Sequence, residues 1–69
     1  MRVVQLSVNG DPLLFEQAPC LVQLLEHLGL TGKRIAVERN GEIVPRSRFQ
    51  ETVLADGDKL EIVVAVGGG

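Results

Sequence analysis

The chain has 69 residues, enough for one small domain. Nine acidic and seven basic residues give a net charge of −2, which argues against a nucleic-acid binder, because such a protein needs a basic footprint. Two Phe with no Tyr or Trp leave almost no aromatic surface for stacking bases. One Cys and one His provide neither an internal disulfide nor a structural metal site, so a core drawn from the 45% hydrophobic residues must hold the fold.

The sequence shows no targeting or membrane signal. A charged region followed by an apolar segment is missing near Met1, so we expect no signal peptide. No apolar run approaches the roughly 20 residues of a transmembrane helix. We therefore expect a cytoplasmic protein with no membrane partner.

The first predicted element is a β-hairpin. Residues 2–8 alternate in polarity, which indicates a strand with one buried side. Asn9-Gly10 follows, a pair typical of a type I′ turn because both central positions need φ > 0. The second strand is predicted at residues 13–16 and at a sheet edge, because Pro12 before it lacks an N–H. The apolar face of the first strand consists of Val4, Leu6 and Val8.

A short helix is predicted after Pro19. Four leucines at spacing i, i+3, i+4 and i+7 form one apolar stripe. Gly29 follows the stripe, where a left-handed C-cap would lie, and Leu30 can supply the accompanying hydrophobic contact. A helix of two to three turns must gain most of its stability by packing on a sheet. The stripe consists of Leu21, Leu24, Leu25 and Leu28, and Gln23, Glu26 and His27 occupy the other side.

Three more strands are predicted in the second half of the chain. Residues 35–39 form a third strand, Asn40-Gly41 a second hairpin turn, and residues 42–44 a short fourth strand that ends at Pro45. The last strand covers residues 59–65, with Leu60, Ile62 and Val64 on one face and Val63 and Ala65 on the other.

The stretch between the fourth and fifth strands is predicted to be irregular. We expect Phe49, Val53 and Leu54 to anchor it to the core. Asp56-Gly57-Asp58 is predicted to be a turn with solubilising acids, and an acid pair that holds a cation is the alternative.

This order of elements predicts an α+β fold of the β-grasp, or ubiquitin-like, type. In it a mixed sheet of four to five strands carries one helix on one face, and the last strand lies centrally beside the first. The near-continuous apolar character of residues 60–66 fits a central strand. We expect a domain at residues 1–65 and a flexible glycine tail at residues 66–69.

The tail allows two interpretations. Glycine has no Cβ, so Gly67, Gly68 and Gly69 can thread a channel that a side chain would block. A frayed end or a linker is the alternative, because chain ends are often disordered. We predict partner docking by Val63, Ala65 and Val66, since apolar residues on an open sheet face can mark an interface. The alternative is that these three residues only favour the strand conformation.

Four polar or reactive side chains have weaker functional interpretations. For Cys20, near the helix N-terminus, a nucleophilic or persulfide-carrying role is the functional interpretation, and helix-start packing is the default. His27 lies near the helix C-terminus, where a cation is favourable, so a solvated position is expected, and a metal or catalytic role is the alternative. Arg46 and Arg48 can steer an acidic partner surface or be ordinary solvated charges. No nucleophile with a base, phosphate loop or metal-ligand spacing indicates an enzyme.

The chain resembles the sulfur carrier proteins of thiamine thiazole biosynthesis, the ThiS family, over essentially its whole length. The resemblance includes Val8-Asn9-Gly10, residues 24–30, residues 36–47, residues 56–58 and the terminal glycines. The central block, the Asp-Gly-Asp turn and the final Gly-Gly together are far more specific than any one of them.

The resemblance implies a carrier and not an enzyme, monomeric when free and without a bound cofactor. The Gly69 carboxylate would be adenylated by an E1-like adenylyltransferase that uses ATP. A sulfur donor such as a cysteine desulfurase relay would convert it to a thiocarboxylate for thiazole synthase. Gly67 and Gly68 would thread the partner's active site. The alternative for Gly67 is that it is only an extra spacer. A carrier for another product such as molybdopterin, or a non-carrier ubiquitin-like interaction module, remains an alternative.

Overall fold

The computed structural model describes residues 3–65. The predicted elements are present, and a short 3-10 helix forms within the stretch expected to be irregular. The elements are β1 (Val4–Val8), β2 (Asp11–Phe15), α1 (Leu21–His27), β3 (Ile35–Arg39), β4 (Glu42–Val44), the 3-10 helix (Arg46–Arg48) and β5 (Lys59–Val64). The predicted tail at residues 66–69 lies outside the described residues, so the division into domain and tail stays a prediction.

The described strands form one mixed sheet in the order β2-β1-β5-β3-β4. β1 and β5 run parallel, and the other neighbouring pairs are antiparallel. The predicted β-grasp fold, with the last strand beside the first, is confirmed. β2 lies at an edge, as the sequence predicted, but it begins two residues earlier, because the tight turn lets Val8 pair with Asp11 at once.

Both Asn-Gly pairs form the predicted turns. Asn9 and Gly10 have φ of 50° and 88°, and Asn40 and Gly41 have φ of 52° and 87°. Positive φ at both central positions matches the right-handed twist of the two strands that each turn joins. The two turns therefore hold β1–β2 and β3–β4 in register.

Helix α1 ends where Gly29 was predicted to cap it. Gly29 has φ of 72°, and its N–H donates to the Glu26 carbonyl at 3.1 Å. The Leu30 N–H donates to the Leu25 carbonyl at 2.9 Å. These two bonds form a Schellman motif, which satisfies carbonyls at the helix end. Leu30 is half-buried against the core, so it also makes the predicted hydrophobic contact.

The core lies between the inner face of the sheet and the apolar stripe of α1. Leu21, Leu24 and Leu25 are buried there, and Leu28 is partly buried at the C-cap. The buried sheet and loop residues that meet them are Leu6, Val8, Val37, Phe49, Leu54, Leu60 and Ile62.

The expectation for Val53 was wrong. Phe49 and Leu54 are buried as predicted, but the Val53 side chain is 59% exposed. Val53 forms an antiparallel β-bridge with Cys20, and the Leu54 N–H donates to the Pro19 carbonyl at 2.9 Å. Because successive side chains of extended backbone point to opposite sides, burying Leu54 turns Val53 outwards.

Candidate functional site

The predicted docking residues lie at the C-terminal end of β5. Val63 is 63% exposed, and Ala65 is also exposed just after the strand. Both belong to the sheet face opposite the helix, because the alternate residues Leu60 and Ile62 are buried in the core. Val66 and the glycines Gly67, Gly68 and Gly69 lie outside the described residues. The structure thus places Val63 and Ala65, two of the three predicted docking residues, on the open face of the central strand.

The open face around Val63 is both apolar and acidic. Ala36 of β3 lies directly opposite Val63, and Ile43 of β4 is 75% exposed. Two residues earlier in β5 and on the same face, Glu61 lies directly opposite Glu38. Like charges in this position disfavour the sheet by a few tenths of a kcal/mol up to about 1 kcal/mol. This mixture of exposed apolar groups and carboxylates suits a partner surface with apolar and cationic groups.

Asn9 binds the central strand through both ends of its side-chain amide. Its Nδ2 donates to the Ile62 carbonyl at 3.1 Å, and the Ile62 N–H donates to its Oδ1 at 2.8 Å. The Asn9 main-chain N–H also donates to the Leu60 carbonyl at 2.9 Å. The left-handed backbone at Asn9 aims the side chain at β5, which continues the pairing after β1 has turned away. Asn9 therefore fixes the part of β5 that leads to the tail.

Asp58 fixes the other end of β5. It is only 7% exposed, and its Oδ2 accepts hydrogen bonds from Arg39 Nε and from the Ala55 N–H, both at 2.8 Å. Asn40 Nδ2 donates to its Oδ1 at 3.0 Å, and the Lys59 N–H donates to Asn40 Oδ1 at 2.9 Å. The network joins the β3–β4 hairpin to the first residue of β5.

The Asp58 network lowers the pKa of the carboxyl. Burial by itself raises the pKa of Asp58, because it disfavours the charged form. Hydrogen bonds from Ala55, Asn40 and Arg39, together with the Arg39 charge, outweigh burial and hold the pKa below its ordinary value of 3.8. The expectation of a solubilising acid was therefore wrong for Asp58. It holds for the exposed Asp56, although its Oδ1 also accepts the Gln5 N–H at 2.7 Å.

Arg46 and Arg48 are exposed in the 3-10 helix that follows β4. Arg46 lines a cleft with Leu25 and Phe49, and Arg48 lines one with Val44 and Pro45. Neither cleft includes a residue of β5, so the structure does not bring the two arginines into the β5 site. Arg48 lies 3.9 Å from the Glu51 carboxylate, an exposed contact worth at most about 1 kcal/mol. A steering role for them stays a prediction.

Cys20 and His27 both have local structural partners. Cys20 is half-buried at the N-cap of α1, where its N–H donates to Gln23 Oε1 at 2.9 Å. His27 is exposed, as expected, and its ring packs edge-to-face against Phe15, with centroids 5.2 Å apart. Both sets of contacts fit the structural interpretations of these residues.

The roles of Asn9 and Asp58 in organising β5 were not predicted from the sequence. The Asn-Gly signal accounts for the turn at Asn9 but does not show where the side chain binds, 53 residues along the chain. The Asp-Gly-Asp sequence is the same whether its second acid is buried or exposed. The partner that buries Asp58 here, Arg39, lies 19 residues away in the chain. No signal in the local sequence marks either long-range contact.

Between residues 3 and 65, no three His, Cys, Asp or Glu side chains cluster in a way that could hold a metal ion. The same residues include no helix long and apolar enough to cross a bilayer.

Comparison with known sequences gives one consistent family. The model of the ThiS family matches residues 5–69. The chain is 40% identical over 65 residues to the sulfur carrier protein ThiS of Bacillus subtilis, covering 93% of this chain and 98% of that protein. It is 44% identical over 66 residues to the thiazole synthase of Paramagnetospirillum magneticum, covering 96% of this chain. The chain spans only 20% of the length of that synthase.

A solved structure gives the same result. The crystal structure of the thiamine biosynthesis protein ThiS from Geobacter metallireducens superposes with a TM-score of 0.79 at 35% identity. The match covers 96% of this chain and all of that one. Sequence and fold thus agree over nearly the whole chain, and the chain belongs to the ThiS family.

Proposed function

We propose that this chain is a sulfur carrier for thiazole formation in thiamine biosynthesis, and that it is not itself an enzyme. The observation that carries the proposal is the family match, which runs through the strand β5 and on to the last glycine. The Bacillus subtilis relative, similar over 98% of its own length, is named a sulfur carrier protein.

The proposed reaction takes place at the Gly69 carboxyl group. A free carboxylate is a poor electrophile, so an E1-like adenylyltransferase first activates it. A carboxylate oxygen attacks the α-phosphorus of ATP, and pyrophosphate leaves. The terminal sulfur of a persulfide on a donor such as a cysteine desulfurase relay then displaces AMP and forms an acyl disulfide. A thiol cleaves the S–S bond of that intermediate, which releases the C-terminal thiocarboxylate and leaves the thiol joined to the donor cysteine as a disulfide. The carrier binds no cofactor of its own, because ATP belongs to the activating enzyme.

The body and the tail have separate tasks in this proposal. Four residues, 66–69, fully extended at about 3.3–3.6 Å each, span about 13 Å. That length lets Gly68 and Gly69 reach a buried site while the domain stays outside, with Gly67 as part of the thread or as a spacer. Val63, Ala65 and Val66 would dock against the partner. The exposure of Val63 beside Ala36 supports this arrangement.

We propose thiazole synthase as the protein that receives the sulfur. Two relatives that are named thiazole synthases, from Paramagnetospirillum magneticum and Magnetococcus marinus, each contain a segment similar to 96% of this chain. Each segment makes up 20% of the synthase. Fusion in one polypeptide holds two domains at high effective concentration, which suits a carrier and its acceptor.

A reconstituted assay tests the proposal. The full chain, a chain without Gly69, and a chain with two residues added after Gly69 are each incubated with the activating enzyme, ATP, a sulfur donor and thiazole synthase. We expect thiazole product with the full chain only, because both variants displace or mask the reactive carboxyl group. Equal product from the extended chain would contradict the proposal and favour an interaction module. Growth of a deletion strain without thiamine would favour a carrier for another product.

A further inference from the structure

Within residues 3–65, the central strand β5 is paired on both sides for only part of its length. Next to β3 the pairing runs from Lys59 to Ala65, whose N–H donates to the Arg34 carbonyl at 2.9 Å. Next to β1 the main-chain pairing ends where β1 turns at Asn9. The side-chain amide of Asn9 then bonds to the main-chain N–H and C=O of Ile62. Beyond Ile62, one edge of the central strand has no neighbouring strand within residues 3–65.

The hydrogen-bonding groups of Val64 point to this open edge. Along a strand, successive residues direct their N–H and C=O to opposite sides. Ala65 donates to Arg34, the residue before β3, whereas Leu60 and Ile62 bond to Asn9 on the β1 side. The main-chain N–H and C=O of Val64 therefore point away from β3, to the same side as those of Ile62. In the part of the chain that the structure describes, no main-chain or side-chain group bonds to Val64 on that side.

An apolar groove lies directly beneath this edge. It has a volume of about 350 Å³, and Val64 and Ile62 form one wall. Val64 is 38% exposed although it belongs to the core-facing side of β5, because the sheet does not continue over it. The rest of the lining comes from the β1–β2 hairpin and the end of the helix, and includes Leu13, Leu28 and Leu30.

We propose that this edge binds an extended main-chain segment of the thiazole synthase partner, which adds a short strand beside Val64 and places an aliphatic side chain in the groove. The inference rests on the proposed function, because the segment belongs to the protein that receives the tail. An unpaired strand edge is a template for another backbone, and such addition is an established mode of peptide recognition.

The observations identify an extended backbone as the occupant. Asn9 shows what this edge binds, since its carboxamide pairs with the N–H and C=O of Ile62 as a peptide group would. At Val64, the next residue of β5 directed to this side, the N–H and C=O would pair with a second amide in the same way. Alternation along the added strand directs one of its side chains into the groove, where an apolar group is the matching chemistry. The tail begins two residues after Val64, so the added strand would also orient it.

Amide hydrogen exchange tests this proposal on the unaltered chain. In the free carrier we expect the Val64 amide to exchange quickly and the Ala65 amide, which is bonded to Arg34, to be protected. On addition of thiazole synthase, we expect Val64 exchange to slow by at least about tenfold. A complex in which Val64 exchanges as fast as before would overturn the proposal. Protection that depends on carrier concentration, without synthase, would assign the edge to a second copy and also overturn it.

A pair of variants separates the main chain from the side chain. Val64→Pro removes the N–H without removing a bond to β3, because that N–H points away from β3. Val64→Ala keeps the N–H and shortens the side chain. We expect Val64→Pro to weaken binding to the synthase by about tenfold and Val64→Ala to weaken it less. Equal affinities of Val64→Pro and the unaltered chain would contradict the inference.

The same samples distinguish failure of this inference from failure of the proposed function. If the carrier acquires sulfur and binds the synthase while Val64 stays unprotected, only the edge pairing is wrong. If no sulfur transfer and no complex are found, the proposed function is wrong and the inference falls with it. Retained protection at Ala65 in Val64→Pro shows that the variant still has its β3–β5 pairing.

Discussion

Arg39 and Asp58 form a partly buried ion pair that ties the end of β3 to the start of β5. Arg39 Nη2 and Nε each lie 2.8 Å from Asp58 Oδ2. The Asp58 side chain is 9% exposed and that of Arg39 is 30% exposed, so solvent screens the pair only partly. The contact holds the strand that carries the tail against the β3–β4 hairpin.

Replacing Asp58 should destabilise the fold without touching the tail. Asp58→Ala leaves the Ala55 N–H and the Asn40 amide without their acceptor, so we expect a loss of about 2–3 kcal/mol in the free energy of unfolding. Asp56→Ala is the matched control, because Asp56 is exposed and accepts one bond, and should cost less than about 1 kcal/mol. Urea unfolding measures both, and equal losses would show that the buried network adds nothing.

The pH dependence of stability should contain a contribution from the same carboxyl. Because the pKa of Asp58 is lowered in the folded state, its contribution is fully present above the ordinary value of 3.8 and is lost as the pH falls through the folded pKa. We expect the free energy of unfolding to fall below about pH 4 and to fall less in Asp58→Asn. Identical slopes for the two proteins in this range would contradict the assignment.

Asn9 should stabilise β5 through its side chain rather than only through its turn geometry. Asn9→Gly keeps the left-handed backbone but removes both bonds to Ile62, so we expect a loss of about 1–2 kcal/mol. Thermal unfolding measures the loss, and faster exchange of the Ile62 amide locates it. If Asn9→Gly unfolds at the same temperature as the unaltered chain, the side-chain bonds do not contribute.

Neighbouring residues Val53 and Leu54 should respond very differently to truncation. Leu54 is 1% exposed, so Leu54→Ala should cost about 2–5 kcal/mol through lost burial and a cavity. Val53 is 59% exposed, and Val53→Ala should change the free energy of unfolding by less than about 0.5 kcal/mol. Chemical denaturation measures the free energy of unfolding of both variants. A larger loss for Val53→Ala than for Leu54→Ala would contradict the finding that Leu54 is buried and Val53 exposed.

Local patterns were enough to predict the fold. The alternation in residues 2–8, the two Asn-Gly turns and Gly29 each depend on neighbours a few residues away, and each formed as expected. Val53 was misassigned because its outward position follows from a bridge to Cys20, which the local sequence does not show. Asp58 and Asn9 owe their roles to contacts 19 and 53 residues away. The open edge at Val64 depends on where β1 stops beside β5, which only the assembled sheet shows.

The measurement that tests the central claim most directly is the intact mass of the chain, with C-terminal fragmentation, after incubation with the activating enzyme, ATP and the sulfur donor. We expect one oxygen to be replaced by sulfur in a fragment that contains Gly69, and no change when ATP is left out. Sulfur on a fragment that contains Cys20, or an unchanged mass, would contradict a carrier that works through its terminal carboxyl group.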